Sequence, residues 1–498
     1  MIEKVNKEVK MSYLHLRILA VGLLLAVSAG KSVSQQLATL DSGRVFSLKD
    51  LEELVFYYHP IVRQAGLLSE EAKAKVVTAW GEFDPALKSH FSRKIFGGSE
   101  YYNNWSNELK VPLWLTGADL KIGYDRNVGT YTNPETQTGV PGLTGIGLNI
   151  PIGQGFLVDS RRNTLRQSRV MVDYAEAQKI QQINKVWFDV VKDYWNWFFA
   201  YTQYELIREG TNLATVRYQA IRNQTLMGDK PAIDSVEAAI TVQERSLQLE
   251  KMTVELANAR LVLSNHLWSD KAEPLELPPN AFPQPADQLP TRIVKAQLDT
   301  LVSNGLTDHP QLSMLKFKGQ QLEWERRYRK EMLKPKLNLS GSLLTSRTVF
   351  NGQVPDNYDL QWSNYKVGVD FSFPLFLREQ RGKLREVQVK QWSLNYDVQQ
   401  TGREIRTNII SAYNVLKAYE AQLAIQTRSV ENQRLLVSGE LAKFDLGEST
   451  LFLINSRETK LIDMRIKMAE IISGYQKTIA EIYYAAGTSQ DGTNRSNL

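Results

Sequence analysis

Hydrophobic and polar residues alternate in four short segments of this chain. The clearest is YKVGVDFSF, residues 365–373, in which large apolar residues occupy every second position. A period of two is typical of a β-strand with one apolar and one polar face. Residues 143–152 and 337–344 follow the same pattern less strictly, and residues 86–96 follow it most weakly. We therefore predict strands at about 86–97, 143–153, 337–347 and 365–375.

Much longer segments have hydrophobic residues at spacings of three and four, which is the period of a helix. Two such stripes are Ile183, Trp187, Val190, Tyr194 and Phe198, and Ile405, Ile409, Tyr413 and Leu416. The aromatic run 187–204, WFDVVKDYWNWFFAYTQY, has the spacing of helix–helix packing rather than of a ligand site.

Each helical segment runs without proline to a glycine and then resumes. The first extends from Arg162 to Gly228 and the second from Arg381 to Gly447, and helices of that size would span roughly 100 Å. The helical pattern returns over about 231–268 and 450–485, where Pro231 suits a first helical turn and Ser449 suits an N-cap. We predict two long antiparallel hairpins, at 158–268 and 377–486.

The two halves carry the same landmarks in the same order, which indicates an internal duplication. RNTLR at 162–166 corresponds to RGKLR at 381–385, a separation of 219 positions. His59-Pro60 and His309-Pro310 correspond at a separation of 250 positions, so the first half holds about 31 extra residues before Arg162. We predict that these form one additional strand hairpin over 108–127, which turns near Thr116-Gly117.

The domain organisation follows from these landmarks. A basic start and the apolar run RILAVGLLLAVSAG predict a secretory signal peptide at 1–34. The first repeat is expected at 35–269 and the second at 299–487, with a polar tail at 488–498. Six of the 17 prolines fall within 273–290, so we interpret 270–298 as an extended linker.

Composition and motifs exclude several classes of function. The absence of Cys rules out disulfides, thiolate nucleophiles and Cys metal sites. A net charge of +6 without a dense basic patch argues against nucleic-acid binding. No nucleotide-binding loop, nucleophile elbow or H-E-x-x-H motif is present, so we predict no enzyme, catalytic residue, metal or cofactor. His59 and His309 precede proline at equivalent helix starts, where a turn or capping role is expected.

Four amphipathic strands in an exported chain raise a geometric problem. Past residue 35 no apolar run approaches the ~18 residues of a spanning helix. Four strands cannot close a membrane barrel, and open sheet edges are not tolerated in lipid. Strands in an outer membrane would thus require several chains to share one barrel. The alternative is a soluble periplasmic coiled-coil scaffold or adaptor protein, which would not need the apolar face of residues 365–373.

This layout resembles the TolC-type outer-membrane efflux protein family over residues ~47–487. The most specific segments are the two hairpin ends, LMGDKPAIDSVEAA at 226–239 and DLGESTLFLINSRE at 445–458. They are similar to the family's Val-Gly-x-x-x followed by Asp-Val-x-x-Ala, with Met227 and Leu446 in place of Val. The His-Pro starts resemble the family's Asn-Pro.

The resemblance implies a mainly α fold with a β-barrel part, in which a strand and long-helical-hairpin repeat is duplicated. It implies a homotrimer with a shared 12-stranded barrel in outer-membrane lipid and an α-helical tube that extends into the periplasm. The function it implies is passive export of small molecules or polypeptides. The hairpin ends would dock to a periplasmic adaptor of an inner-membrane pump.

Two sets of candidate residues follow from this resemblance. Asp234, Glu237, Asn455 and Glu458 lie one to three turns past the hairpin ends, where they would narrow the tube to an aperture that favours cations. The alternative is that acids near a helix start are favoured by the helix dipole and face water. Met227, Gly228, Leu446 and Gly447 would form the docking surface, or the glycines serve only the positive φ of the turn.

Overall fold

The computed structural model of the chain describes residues 45–140, 142–285, 295–345 and 360–488. The predicted signal peptide lies outside the described residues, and so do residues 286–294 of the linker and 489–498 of the tail.

Sixteen helices and strands occur in the described residues. Those of the first half are β1 (Val45–Phe46), α1 (Leu48–Tyr58), α2 (Pro60–Gly81), β2 (Ala86–Phe96), β3 (Ser99–Pro112), β4 (Asp119–Val128), β5 (Leu143–Pro151), α3 (Ser160–Met227), α4 (Ala232–Ser264) and β6 (Phe282–Pro283). Those of the second half are α5 (Lys295–Asp308), α6 (Pro310–Glu331), β7 (Lys336–Thr345), β8 (Leu360–Ser372), α7 (Arg378–Asp445) and α8 (Leu451–Ala485).

The predicted fold class, a mainly helical chain with a duplicated strand and long-hairpin unit, is confirmed. In each half two shorter helices lead into strands, a helix of 68 residues follows, and a return helix ends the unit. No helix in the described parts of the chain is long and apolar enough to cross a membrane.

The main sheet has six strands in the order β2-β3-β4-β5-β7-β8, and every neighbouring pair is antiparallel. The additional hairpin expected from the sequence is β3–β4, which turns over residues 113–118. Its strands belong to the same sheet; β3 begins nine residues before the predicted start, and β4 ends one residue past the predicted end. One chain therefore supplies six strands, whereas a barrel of 12 strands built by three chains counts only four from each.

The described chain folds into two compact units. Of the described residues, those up to Gln64, between Gln182 and Leu306 and from Ile405 onward form one unit, and those within Ala65–Gln181 and Thr307–Glu404 form the other. The first unit holds the aromatic run, and it packs as predicted: Tyr194, Trp195 and Trp197 are among the largest fully buried side chains. The hydroxyl of Tyr194 donates to the carbonyl of Phe46 at 3.0 Å and accepts from the amide of Gln284 at 3.0 Å.

The second unit contains the six-stranded sheet and the start of α3. Arg162, which is buried, donates to the carbonyls of Leu115 at 3.1 Å and Gly155 at 2.6 Å. Arg161 reaches the carboxylate of Asp119 at 2.8 Å and the carbonyl of Gly117 at 3.1 Å. Two adjacent arginines thus fix the β3–β4 turn to the first turn of α3.

The two His-Pro pairs begin helices, and the predicted capping role is confirmed. His59 Nδ1 accepts the amide of Ile61 at 3.2 Å, and His309 Nδ1 accepts the amide of Gln311 at 3.1 Å. Burial, together with nearby His266, lowers the pKa of His59 from 6.5 to about 4, and burial alone lowers the pKa of His309 to about 4. Both histidines are therefore neutral when they cap.

His266 stacks on His59 with 5.8 Å between ring centroids, and its Nε2 lies 2.9 Å from the Asp193 carboxylate. Even so, no group of three or more His, Cys, Asp or Glu in the described ranges could hold a metal ion.

The capping histidines predict acid sensitivity. An unfolded histidine takes up a proton near pH 6.5, whereas folded His59 and His309 do so only near pH 4. The free energy of unfolding should therefore fall as the pH drops from 6.5 to 4. The double variant H59N/H309N keeps a side-chain oxygen for each cap but does not titrate. Its Tm, followed by tryptophan fluorescence in detergent, should match the parent at pH 8 and exceed it by a few degrees at pH 4.5.

The control is H90N, which removes an exposed histidine of β2 that caps no helix. An equal acid-induced drop in Tm for the parent and the double variant would contradict the prediction.

Candidate aperture and docking residues at the hairpin ends

The two long helices end in the same hydrogen-bonded turn. At the end of α3, the amide of Gly228 donates to the carbonyl of Thr225 at 3.1 Å, and the amide of Asp229 donates to that of Gln224 at 2.9 Å. At the end of α7, Gly447 and Glu448 donate to Phe444 and Lys443, both at 2.9 Å. This pair of bonds is the Schellman motif, which satisfies carbonyls that a helix end leaves free.

Glycine is required at both turns. Gly228 has φ +86° and Gly447 has φ +78°, a conformation that costs other residues roughly 1–2 kcal/mol. No atom lies within 4 Å of where a Cβ would stand on either glycine, so the backbone angle alone selects the residue. The positive φ of the two turns therefore accounts for glycine at both positions.

The residues before the two glycines are apolar and exposed. Met227 exposes 77% and Leu446 76% of its surface, and Leu226 beside Met227 is equally exposed. Each turn thus presents large apolar side chains to the outside of the single chain.

The return helices begin differently in the two halves. Pro231 is the N-cap of α4 and makes no side-chain capping bond. In the second half the N-cap is Thr450, whose hydroxyl accepts the amide of Leu453 at 3.4 Å, rather than Ser449 as predicted. Ser449 instead donates to the carboxylate of Glu440 at 2.5 Å.

Close to these turns the two hairpins share a small apolar core. Buried Ile221, Ala238 and Leu451 pack together, and Tyr218 and Phe444 pack against them. These five residues come from α3, α4, α7 and α8, so the ends of the two repeats are packed against each other.

Asn455 and Glu458, two of the predicted aperture residues, are held by an arginine from the other repeat. Arg217 on α3 binds both carboxylate oxygens of Glu458, at 2.7 and 2.5 Å, and donates to the side-chain oxygen of Asn455 at 3.3 Å. The Asn455 amide donates in turn to the hydroxyl of Thr241 on α4 at 3.1 Å. The side chains of Arg217 and Glu458 are only 17% and 18% exposed, so this pair is well shielded from water.

Asp234 and Glu237, the other two predicted aperture residues, have different surroundings. Asp234 lies in the first turn of α4, where the helix dipole favours a negative charge. Both residues are half-buried in the single chain, and no ion pair of either carboxylate occurs among the described residues. The structure thus brings Asn455 and Glu458 together and leaves Asp234 and Glu237 as the carboxylates not neutralised by an arginine.

Sequence reasoning missed Arg217 and its neighbour Arg245. Arg245 on α4 is buried and donates to the hydroxyl of Thr459 at 2.8 Å, and burial lowers the pKa of its guanidinium. Neither arginine belongs to a motif. Each arginine contacts a residue of α8 more than 200 positions away in the sequence, so no local signal could have found it.

Comparisons with known proteins assign this arrangement to a known class of fold. The family model described as outer membrane efflux protein matches residues 301–461. No curated protein sequence matches the chain.

Solved structures match nearly the whole chain. The Campylobacter jejuni CmeC outer membrane channel has 15% identity and a TM-score of 0.61, covering 88% of this chain and 85% of that one. The open state of the Neisseria gonorrhoeae MtrE outer membrane channel has 16% identity, a TM-score of 0.60 and 89% coverage of both chains. The Vibrio cholerae outer membrane protein VceC has 12% identity, a TM-score of 0.60 and coverage of 89% and 96%. At this identity the likeness establishes the fold.

Removal of Arg217 should loosen the hairpin ends. The variant R217A leaves the shielded carboxylate of Glu458 without its partner, which costs about 1–3 kcal/mol. Amides of α8 around Glu458 should exchange hydrogen for deuterium about tenfold faster or more, as measured by mass spectrometry. R222A, which removes an exposed arginine from the same helix, is the matched control. Equal exchange rates in the two variants would show that the Arg217–Glu458 pair does not stabilise the packing of α8 on α3.

Proposed function

We propose that the chain is a member of the outer membrane efflux protein family, whose model matches residues 301–461, and that it is an outer-membrane channel through which small molecules or polypeptides leave the cell passively. It resides in the outer membrane and extends into the periplasm. The observation that carries the proposal is the fold: the strands and both long hairpins match outer membrane channels over most of the chain.

The alternative, a soluble periplasmic scaffold or adaptor, fits the helices but not the sheet. On β8, Tyr365, Val367, Val369 and Phe371 form a continuous apolar face that is well exposed in the single chain. A soluble protein would leave this face in water, whereas a membrane covers it with lipid. The chain is proposed to act without catalysis, so the driving force comes from a partner.

Self-association is part of the proposal. A homotrimer supplies further copies of β2 and β8, whose outer edges have no neighbour among the described strands of the single chain. Lipid offers no hydrogen bonds to such edges, so pairing between chains is the way to satisfy them.

A periplasmic adaptor, carried by an inner-membrane pump, is the proposed partner of the hairpin ends. Its docking surface comprises Met227, Gly228, Leu446 and Gly447. The two glycines fix the turns, and the two exposed apolar side chains supply area that an adaptor can bury.

The aperture is proposed to depend on Asp234 and Glu237 more than on Glu458. Since Arg217 neutralises Glu458, the free negative charge among the four candidate residues comes from the two acids of α4. Asn455 and Glu458 are proposed to have a structural role, because their side chains link α8 to α3 and α4.

The first experiment measures the particle itself. We expect mild detergent to extract a particle of three chains from the outer-membrane fraction, by light scattering with detergent subtracted, and to see cation-preferring channels in planar bilayers. D234A/E237A should weaken the cation preference and raise the conductance. E250A removes an exposed acid further along α4 and is the control.

A monomer in the soluble periplasmic fraction would overturn the proposal that the chain forms an outer-membrane channel. Identical recordings from D234A/E237A and E250A would overturn the aperture role and leave Asp234 and Glu237 as solvated surface acids.

Introducing negative charge at the two exposed apolar residues tests the proposed docking surface. In M227D/L446D two largely exposed side chains gain a negative charge, so folding and trimer assembly should persist while export is lost. The measurement is export of a fluorescent substrate by the native strain that carries the variant. Y131D places one negative charge on an exposed residue of the loop after β4 and should export normally. If M227D/L446D exports at the rate of Y131D, the hairpin ends are not the docking surface.

A further inference from the structure

The inserted hairpin β3–β4 continues the apolar face of the sheet. One row of directly paired residues crosses all six strands, and each member is apolar: Leu87, Leu109, Ile122, Ile146, Leu343 and Tyr365. The second apolar row, two residues along each strand, is Val111, Leu120, Leu148, Gly341 and Val367. The register therefore places the apolar positions of the hairpin on the same face as those of β8.

Most charged side chains of the hairpin lie on the opposite face, where two ion pairs form between the strands, whereas Arg126 lies on the apolar face beside Trp105. Lys110 binds Asp119 at 3.0 Å, and Lys121 binds Glu108 at 3.3 Å. In the row between the two apolar rows, Lys121 pairs through Gly147 and Ser342 to Lys366 of β8. Thus β3 and β4 have the same two-sided character as the strands that flank them.

Strand length and anchoring agree with this placement. The six strands have 11, 14, 10, 9, 10 and 13 residues, and a strand that crosses an outer membrane needs ~9–11. The turn of the hairpin is fixed to α3 by Arg161 and Arg162, so the hairpin is built into the sheet rather than appended to it.

The sheet also meets the requirement for closure by identical copies. Six antiparallel strands are an even number, so the edge strands β2 and β8 run in opposite directions. The β8 edge of one chain can therefore pair antiparallel with the β2 edge of the next, as every internal pair of the sheet does.

We propose that all six strands face outer-membrane lipid and that three chains close an 18-stranded barrel. The inference rests on the proposed trimeric channel and changes its dimensions. Because barrel diameter grows roughly linearly with strand number, this barrel is about one and a half times as wide as one of twelve strands. Its inner face carries the lysine, aspartate and glutamate side chains of β3 and β4.

The absence of native cysteine makes the test direct, because an introduced cysteine is the only thiol in the chain. I122C and G123C place a spin label on the two faces of β4, and V367C and K366C do the same on β8. At Gly123 a Cβ would meet only a carbonyl at 3.7 Å, so the substitution fits. Each labelled trimer is reconstituted in liposomes, and its collision with oxygen and with a water-soluble nickel chelate is measured.

We expect I122C to match V367C, accessible to oxygen and shielded from nickel, and G123C to match K366C, accessible to nickel. If I122C meets nickel while V367C stays in lipid, the hairpin lies outside the barrel and twelve strands remain. If V367C itself meets nickel, the membrane assignment of the sheet fails, and with it the proposed function.

A strand count by electron cryomicroscopy of the unmodified trimer provides a second test that needs no variant. Eighteen strands support the inference, and twelve overturn it while leaving the channel intact.

Discussion

The unsatisfied backbone at the two edges of the main sheet is the constraint on which the rest depends. The outer sides of β2 and β8 have no neighbour among the described strands of one chain, and lipid cannot supply hydrogen bonds to them. In the proposed channel the sheet therefore needs both a layer of lipid over its apolar face and further copies of itself along its edges.

Close packing between the repeats gives the helical unit its stability. A Cβ on Gly210 of α3 would lie 2.6 Å from Cδ1 of Ile462 on α8, so these two helices approach as closely as glycine allows. Around that approach Leu206, Ile207 and Met252 form an apolar cluster with Ile462. The Arg217–Glu458 pair lies on the same two helices. Apolar contact and a shielded ion pair thus hold α3 and α8 together.

Local patterns predicted the elements well, and long-range pairing explains what they missed. The strict alternation around Tyr365 and the helical stripe through Tyr194 each indicate the observed element, because one face of each is apolar. The start of β3 gave no such signal, since adjacent Asn103 and Asn104 place polar side chains on both faces. The Arg217–Glu458 contact joins residues 241 positions apart, and no local pattern encodes it. Ser449 and Thr450 can both cap a helix start. In the structure Ser449 donates to Glu440 and Thr450 is the N-cap.

The β3–β4 hairpin also bears on how such sheets change during evolution. A single added strand would reverse the direction of every later strand. The β8 edge of one chain could then no longer pair antiparallel with the β2 edge of the next. An added hairpin preserves both direction and sidedness, and its short turn requires only a local anchor, here Arg161 and Arg162 of the following helix. Duplication of hairpins would therefore let a lineage enlarge the opening of a proposed pore in discrete steps, while the long helices keep their sequence and length.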